Sequence, residues 1–210
     1  MKTDFIYRQL AWLYDYPGGV LLREGHVKVA EVIQAEHGMK VVELGIGPGH
    51  SLEYYPPGTE LTGIDLSPNM IAKAKERLAA FPHLNARLEV MDATQTDLPD
   101  ESFDLVVSFS VITVVDHPEK LLKEAVRLCK PGGKIIIVGR LKRPGLGDWI
   151  WQKLTHRVSL LLFGFGTNMD ASVYDSILSK VEILRREQVN HVGPFTLSDI
   201  MILKKRERTV

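Results

Sequence analysis

"VVELGIGPGHS", residues 41–51, decides the fold. An apolar run, interrupted only by Glu43, ends in three alternating glycines, Gly45, Gly47 and Gly49. That pattern is a short buried strand running into a tight turn whose backbone can approach a ligand closely. In an open α/β sheet, ligands bind beyond the carboxyl ends of the strands, where such a turn lies. A nicotinamide or flavin dinucleotide fingerprint wants G-x-G-x-x-G, and counted from Gly45 its third position is His50. Asp65 ends the next apolar run and supplies a carboxylate for ribose hydroxyls, which suits either a dinucleotide or another nucleoside ligand.

Working outward, strands and helices alternate. "MKVVELGIG" (39–47), "ELTGIDLS" (60–67), "ARLEVMDA" (86–93), "FDLVVSFSV" (103–111) and "KIIIVGR" (134–140) read as five strands. Several are continuous apolar runs, as a parallel sheet covered on both faces requires. A helix opens at "SPNM", with Ser67 as N-cap and Pro68 in the first position. "HPEKLLKEAVRLCKPGG" (117–133) reads as a second helix, stopped by a proline–glycine turn before the fifth strand. "VEILRREQV" and "FTLSDIMILKK", around "NHVGP", predict an antiparallel hairpin closing one edge. The expected fold is therefore α/β, one doubly wound, mostly parallel seven-stranded sheet over residues 1–210.

Two segments lie outside that alternation. Residues 1–37 predict a helical cap: "TDFIYRQLAWLYDY" has Phe5, Ile6, Leu10, Leu13 and Tyr14 near helical spacing, and a further helix is expected from about Val20 to His37. Residues 141–178 form an insertion containing "GDWIWQKLTHRVSLLLFGFG" (147–166), on the side where an acceptor would enter. Asp148 is its candidate N-cap. An amphipathic helix on the sheet edge is the plain reading, a substrate lid the next. A sharper one puts Trp149, Trp151, Leu161, Leu162 and Phe163 against lipid.

Composition bounds the chemistry. The 26 basic and 26 acidic residues balance, so no global field draws nucleic acid. A single cysteine, Cys129, excludes an internal disulfide and a multi-cysteine zinc site, and no "HExxH" or "GxSxG" is present. No metal is signalled. Residues 1–19 lack an apolar signal-peptide core, and no run of about twenty apolar residues spans a bilayer. A cytoplasmic protein with peripheral membrane contact is expected.

Taken together, the glycine turn, Asp65, "MDA" (91–93), "FDLVVSFSVI" (103–112) and "KPGGKIIIV" (130–138) resemble the class I S-adenosylmethionine-dependent methyltransferases. The resemblance implies a seven-stranded fold with a reversed final hairpin and S-adenosylmethionine as methyl donor. It makes Glu43 the acid opening the glycine motif and lays Gly45, Gly47 and Gly49 along the methionine part of the cofactor. Asp65 would bind both ribose hydroxyls, and Leu66 and Met70 would pack near the adenine. Asp92 would meet the adenine amino group, unless it is simply a capping aspartate, and the Ala93 amide a ring nitrogen. Phe109 and Ser110 would sit near the sulfonium methyl.

Methyl transfer needs alignment and water exclusion more than a nucleophilic residue, but an amine acceptor must lose a proton. Tyr7, Tyr14, Tyr16 and His50 are the candidates for that task. The fourth strand runs into "SFSVITVV", without the "[DNS]-P-P-[YFW]" turn with which nucleic-acid amino-methyltransferases hold a planar nitrogen, which leaves a lipid or small molecule. The N-terminal "YDY", "SLEYYP" and "VITVV" followed by "DHPE" resemble bacterial phospholipid N-methyltransferases, which act on the head-group amine of phosphatidylethanolamine and its mono- and dimethyl forms. "GRLKRPG" after the fifth strand departs from the "NHF"-like segment of that group. The resemblance extends to quinone-ring methyltransferases, and in both groups Tyr14 would close over the methionine end of the cofactor. A binding module without activity is the third reading.

Overall fold

The computed structural model describes residues 23–34, 38–139, 171–192 and 195–207. Helix α1 (Arg23–Gln34) precedes β1 (Lys40–Leu44), β2 (Glu60–Asp65), α2 (Pro68–Leu78), β3 (Asn85–Val90), β4 (Phe103–Phe109), α3 (Pro118–Leu128), β5 (Cys129–Gly139), β6 (Val181–Val192) and β7 (Phe195–Lys205). Single turns of 3-10 helix span Leu52–Tyr54 and Val111–Thr113, and a longer one spans Ala171–Ser176.

The seven strands form one sheet in the order β3-β2-β1-β4-β5-β7-β6. β1 to β5 are parallel, while β7 runs antiparallel between β5 and β6. The expected seven-stranded doubly wound sheet with a reversed hairpin is what the chain builds. Strand order reverses between β1 and β4, so the crevice that receives ligands in open α/β sheets falls between their carboxyl ends.

Alternation along the strands divides the core between the two faces. Val41, Leu105, Val107, Ile136, Val138, Ile200 and Ile202 pack with Val29 and Ile33 of α1 and Ile71 and Ala74 of α2. Val42, Leu44, Val106, Ile135, Ile137, Met201 and Leu203 pack with Leu121, Leu122 and Ala125 of α3 and with Tyr174. The central strands are largely apolar on both sides because both faces are covered, which is why their sequences read as near-continuous apolar runs, with Glu43 and Ser108 as buried polar exceptions.

Two local expectations need correction. The helix predicted over 117–133 ends at Leu128, and "CKPGG" already belongs to β5. Phe103 pairs with Cys129, but the next paired residue, Leu105, faces Lys134. The extra residues are taken up as a bulge, which accommodates the proline and glycines without ending the strand. Ser67 has the extended backbone of an N-cap, yet its side chain makes no capping bond. The Asp65 carboxylate takes the Ser67 amide instead, at 2.9 Å.

The "TDFIYRQLAWLYDY" helix and the stretch 147–166 lie outside the described residues. Of the segments expected as cap and insertion, the structure describes α1 and the turn after 170. No helix among the described residues is long and apolar enough to cross a membrane.

Candidate active site

The glycine turn is fastened to β2. The amides of Gly45 and Ile46 donate to the Ile64 carbonyl at 2.8 and 2.9 Å, and the Gly47 amide donates to Asp65 Oδ2 at 3.0 Å. Gly45 and Gly47 both have positive φ, +80° and +54°, but they need glycine for different reasons. A Cβ on Gly45 would lie 2.0 Å from Val111 Cγ2, because the turn after β4 presses against the turn after β1. A Cβ on Gly47 would meet nothing within 4 Å. Gly47 therefore borders open space at the carboxyl edge, where a ligand can approach its backbone. Gly49 is buried against the side of α2, where a side chain would strike Leu52 and Ala74.

Beneath this turn Glu43 is almost fully buried, at 1% exposure. Ser51 Oγ and Tyr55 Oη both donate to its Oε2, each at 2.7 Å. Burial pushes its pKa up to about 7; the two hydrogen bonds work against that rise, and the nearby Asp65 charge adds to it. The Tyr55 hydroxyl is driven well above its usual range by burial and by the same carboxylate. This triangle ties β1 to the 3-10 turn that follows the glycines. Sequence reasoning passed over Ser51 and Tyr55, although their four-residue spacing inside "SLEYYP" is the visible trace of both reaching back to one acid.

Asp65 is partly buried, and burial raises its pKa, opposed by the amides of Ser67 and Gly47. Each oxygen accepts one backbone amide, Oδ1 from Ser67 and Oδ2 from Gly47, which leaves further lone pairs for ligand hydroxyls. Next along the edge, Met91 donates its amide to the Asp65 carbonyl at 3.0 Å, so the "MDA" turn adjoins the end of β2. Asp92 is exposed and its Oδ1 accepts the amide and hydroxyl of Thr94, at 2.8 and 2.7 Å, in a local turn. Ala93 is buried. Leu66 is 71% exposed, an open apolar surface beside Asp65, whereas Met70 is buried in α2. The loop bearing Asp92 is anchored from below. Glu124 Oε1 accepts the Thr96 amide and hydroxyl, and the Arg127 guanidinium donates to Glu124, to the carbonyls of Thr96 and Leu98, and to Asp100.

At the other end of the crevice stand Phe109 and Ser110. Ser110 adopts left-handed backbone, φ 60°, and its amide donates to the Val138 carbonyl at 2.7 Å. A non-glycine residue in that conformation carries strain, which the β5 hydrogen bond holds in place. Phe109 stacks on His26 of α1, with centroids 4.3 Å apart, and His26 lies 5.6 Å from the Tyr54 ring, nearly parallel to it. His26 and Tyr54 were not among the sequence candidates. Of the residues proposed as base, Tyr7, Tyr14 and Tyr16 lie outside the described residues. His50 Nδ1 lies 2.6 Å from the Arg77 guanidinium, and since arginine only donates, that nitrogen is the acceptor in a tie between the glycine turn and α2.

Among the described residues no group of three or more histidine, cysteine or acidic side chains could hold a metal. The residues present suit a nucleoside with an extended polar tail: open backbone at Gly47, an acid with spare lone pairs at Asp65, and an exposed apolar face at Leu66 beside it.

Residues 42–137 match a methyltransferase domain family. The chain is similar to the phosphatidylethanolamine N-methyltransferase of Cereibacter sphaeroides, 36% identical over 146 residues, which are 68% of this chain and 71% of that protein. It is 31% identical over 139 residues to the demethylmenaquinone methyltransferase of Tropheryma whipplei, covering 63% of this chain and 56% of that one. Thiol S-methyltransferases also match, at 29% identity to the Rattus norvegicus protein over 63% of this chain and 55% of that one. The fold superposes on a SAM dependent methyltransferase from Aquifex aeolicus with a TM-score of 0.65, 18% identity, and coverage of 97% and 98% of the two chains. With the glycine turn, Asp65 and the reversed hairpin in place, this chain belongs to the S-adenosylmethionine-dependent methyltransferases and is an enzyme that uses S-adenosylmethionine as its cofactor.

Proposed function

We propose that the chain methylates the head-group amine of phosphatidylethanolamine or its mono- and dimethyl forms. The observation carrying this reading is the 36% identity, over 71% of its length, to a relative that bears that activity in its name. The cofactor brings a methyl group already activated on a sulfonium, so the protein's task is alignment and exclusion of water. In this reading Asp65 takes the ribose hydroxyls, and Gly45, Gly47 and Gly49 border the methionine tail. Leu66 and Met70 flank the adenine, and Asp92 and the Ala93 amide meet its polar edge. Phe109 and Ser110 form the wall beside the transferred methyl. Glu43 sits beneath the glycine turn and shapes it from below through Ser51 and Tyr55.

The acceptor lies at a membrane surface in this proposal, and residues 147–166 with the N-terminal segment are the candidates to meet it. Tyr14 would close the methionine end, with Tyr7 a candidate acid–base group beside it. Incubation with radiolabelled cofactor and vesicles of phosphatidylethanolamine tests the reading. Label in extracted lipid supports it; none, with turnover of a water-soluble acceptor, overturns it. Polar replacement of Trp149, Trp151, Leu161, Leu162 and Phe163 is expected to reduce vesicle binding and spare cofactor affinity.

The match to a demethylmenaquinone methyltransferase favours a second reading, transfer to the ring carbon of a quinone. Label in a quinone precursor, with none in aminolipid, would select it.

A further inference from the structure

Glu43 and Asp65 are two acids at one turn, and among the described residues no cation pairs with either. Glu43 Oε2 accepts the hydroxyls of Ser51 and Tyr55, while Asp65 accepts the amides of Gly47 and Ser67, so every donor to the two acids is neutral. The carboxyls are near enough for the charge of Asp65 to resist ionisation of Glu43.

The elements packed around Glu43 bring it no counter-ion. It pairs mid-sheet with Gly63 of β2 and Val107 of β4, so the charged group facing it from β2 is Asp65 and β4 offers an apolar one. Its donor Tyr55 and Val41, two residues back on the same face, belong to the apolar cluster covered by α1 and α2. Titratable side chains that these helices bring toward the turn are engaged with other groups. His26 of α1 stacks on Tyr54 and Phe109, Lys28 pairs with Glu187, and Arg77 of α2 meets His50. A carboxylate in such a place, with neutral donors and a second acid nearby, is costly to form. Its pKa is pushed up to about 7, so the free protein holds the proton in a large share of molecules at neutral pH.

The methyl donor differs from its product by one positive charge: a sulfonium before transfer, a neutral thioether after it. In a medium of low dielectric, charges interact over several ångströms without touching. A cation brought to the glycine turn therefore lowers the cost of the Glu43 anion beneath it. Proton and ligand affinities are linked, so a ligand that favours the anion is in turn bound better by it.

We propose that Glu43 releases a proton when S-adenosylmethionine binds and takes one back once the thioether product is left, so that the chain holds the charged donor in preference to its spent form. This rests on the reading that lays the methionine tail along the glycine turn, and it is independent of the acceptor. On binding, the Glu43 O–H bond breaks, its electron pair stays on the carboxylate and the proton passes to solvent. Ser51 and Tyr55 are positioning residues, whose hydroxyls hold the anion once it forms. Asp65 opposes that anion until a cation offsets both.

Calorimetric titration in buffers of different ionisation enthalpy counts the protons released on binding. E43Q, which cannot ionise, reads out whatever the ligand's own groups contribute, and the difference between the two proteins is the quantity tested. At pH 7 that difference is expected to be about half a proton per S-adenosylmethionine, and much less for S-adenosylhomocysteine. Relative to E43Q, wild-type affinity for S-adenosylmethionine should strengthen by about tenfold from pH 6 to 8, and level off above. Wild type and E43Q with the same proton count and pH profile overturn the proposal, as does equal release with both ligands. If E43Q does not fold, S51A decides: losing a donor that favours the anion should move the midpoint of the affinity profile to higher pH, and an unmoved midpoint overturns the proposal. G47A that binds the cofactor as tightly as wild type overturns the placement of the tail and the proposal together. A G47A-sensitive affinity without proton release overturns the proton role alone.

Discussion

The carboxylate of Asp65, at the end of β2, accepts the backbone amide of Gly47 at 3.0 Å, so the acid and the turn expected to share one cofactor are already bonded to each other. Removing the acid therefore acts twice. D65A is expected to lower S-adenosylmethionine affinity by about 100-fold, the loss of two hydroxyl bonds to a charged acceptor. It should also cost about 1–2 kcal/mol of stability, because the Gly47 and Ser67 amides lose their partner. Calorimetric titration and urea unfolding read the two effects separately.

The glycines of the turn separate folding from binding. G45A forces a Cβ against Val111 at 2.0 Å and is expected to destabilise the fold by about 3 kcal/mol or more. G47A meets no atom, so it should cost only the left-handed backbone penalty of about 1–2 kcal/mol. Its larger effect should be on cofactor affinity, since the methyl would protrude where the ligand approaches. Equal stability losses in the two variants would contradict this division.

Glu43 makes the apoprotein's stability depend on pH in an unusual direction. Its unfolded carboxyl titrates near 4.5 and its folded one near 7. Between those values the folded state holds a proton that the unfolded state has released. The contribution is thus fully present below about pH 4.5 and is lost as pH rises through 7, a span on the order of 3 kcal/mol at most. Both donors land on Oε2, so the protonated acid needs only its other oxygen for the hydrogen, and a glutamine amide copies that arrangement. E43Q is expected to remove this slope; an unfolding series from pH 4.5 to 8 in which wild type and E43Q run parallel would show that the carboxyl titrates normally.

Arg127 holds the loop between β3 and β4 through Glu124, Thr96, Leu98 and Asp100. Burial works to raise the Glu124 pKa, but hydrogen bonds from Arg127 and Thr96 outweigh it and hold the carboxyl below its ordinary value. R127A leaves that acid with only the Thr96 amide and hydroxyl and no cation, and should cost about 3 kcal/mol. Pairing it with E124Q should recover part of the loss, measurable as a coupling energy in a double-mutant cycle.

Most of the sheet could be read from the chain because its central strands are covered on both faces. "VVEL", "DLVVSF" and "KIIIV" carry that condition as mostly apolar runs, and the glycines fall where the first of them ends. Less legible were features made by bonds across the fold. The acid that caps α2 is Asp65, two residues before the serine that local rules select. The bulge at "CKPGG" turns a helix stop into strand. His26 and Tyr54 come from segments on opposite sides of β1 and meet on a ring of β4, a contact that no spacing rule encodes.

The antiparallel β7 lies between β5 and β6, so the last of the described strands is an interior one. During synthesis, β1 to β5 can pair as they emerge, but the free edge of β5 has no lasting neighbour until residues 195–205 leave the ribosome. Until then Ile135 and Ile137 on one side and Ile136 and Val138 on the other border a bare strand edge, a template for pairing between nascent chains. A stop codon before residue 195 would leave the glycine turn and Asp65 intact in sequence, yet the product should be lost to aggregation before it could bind anything.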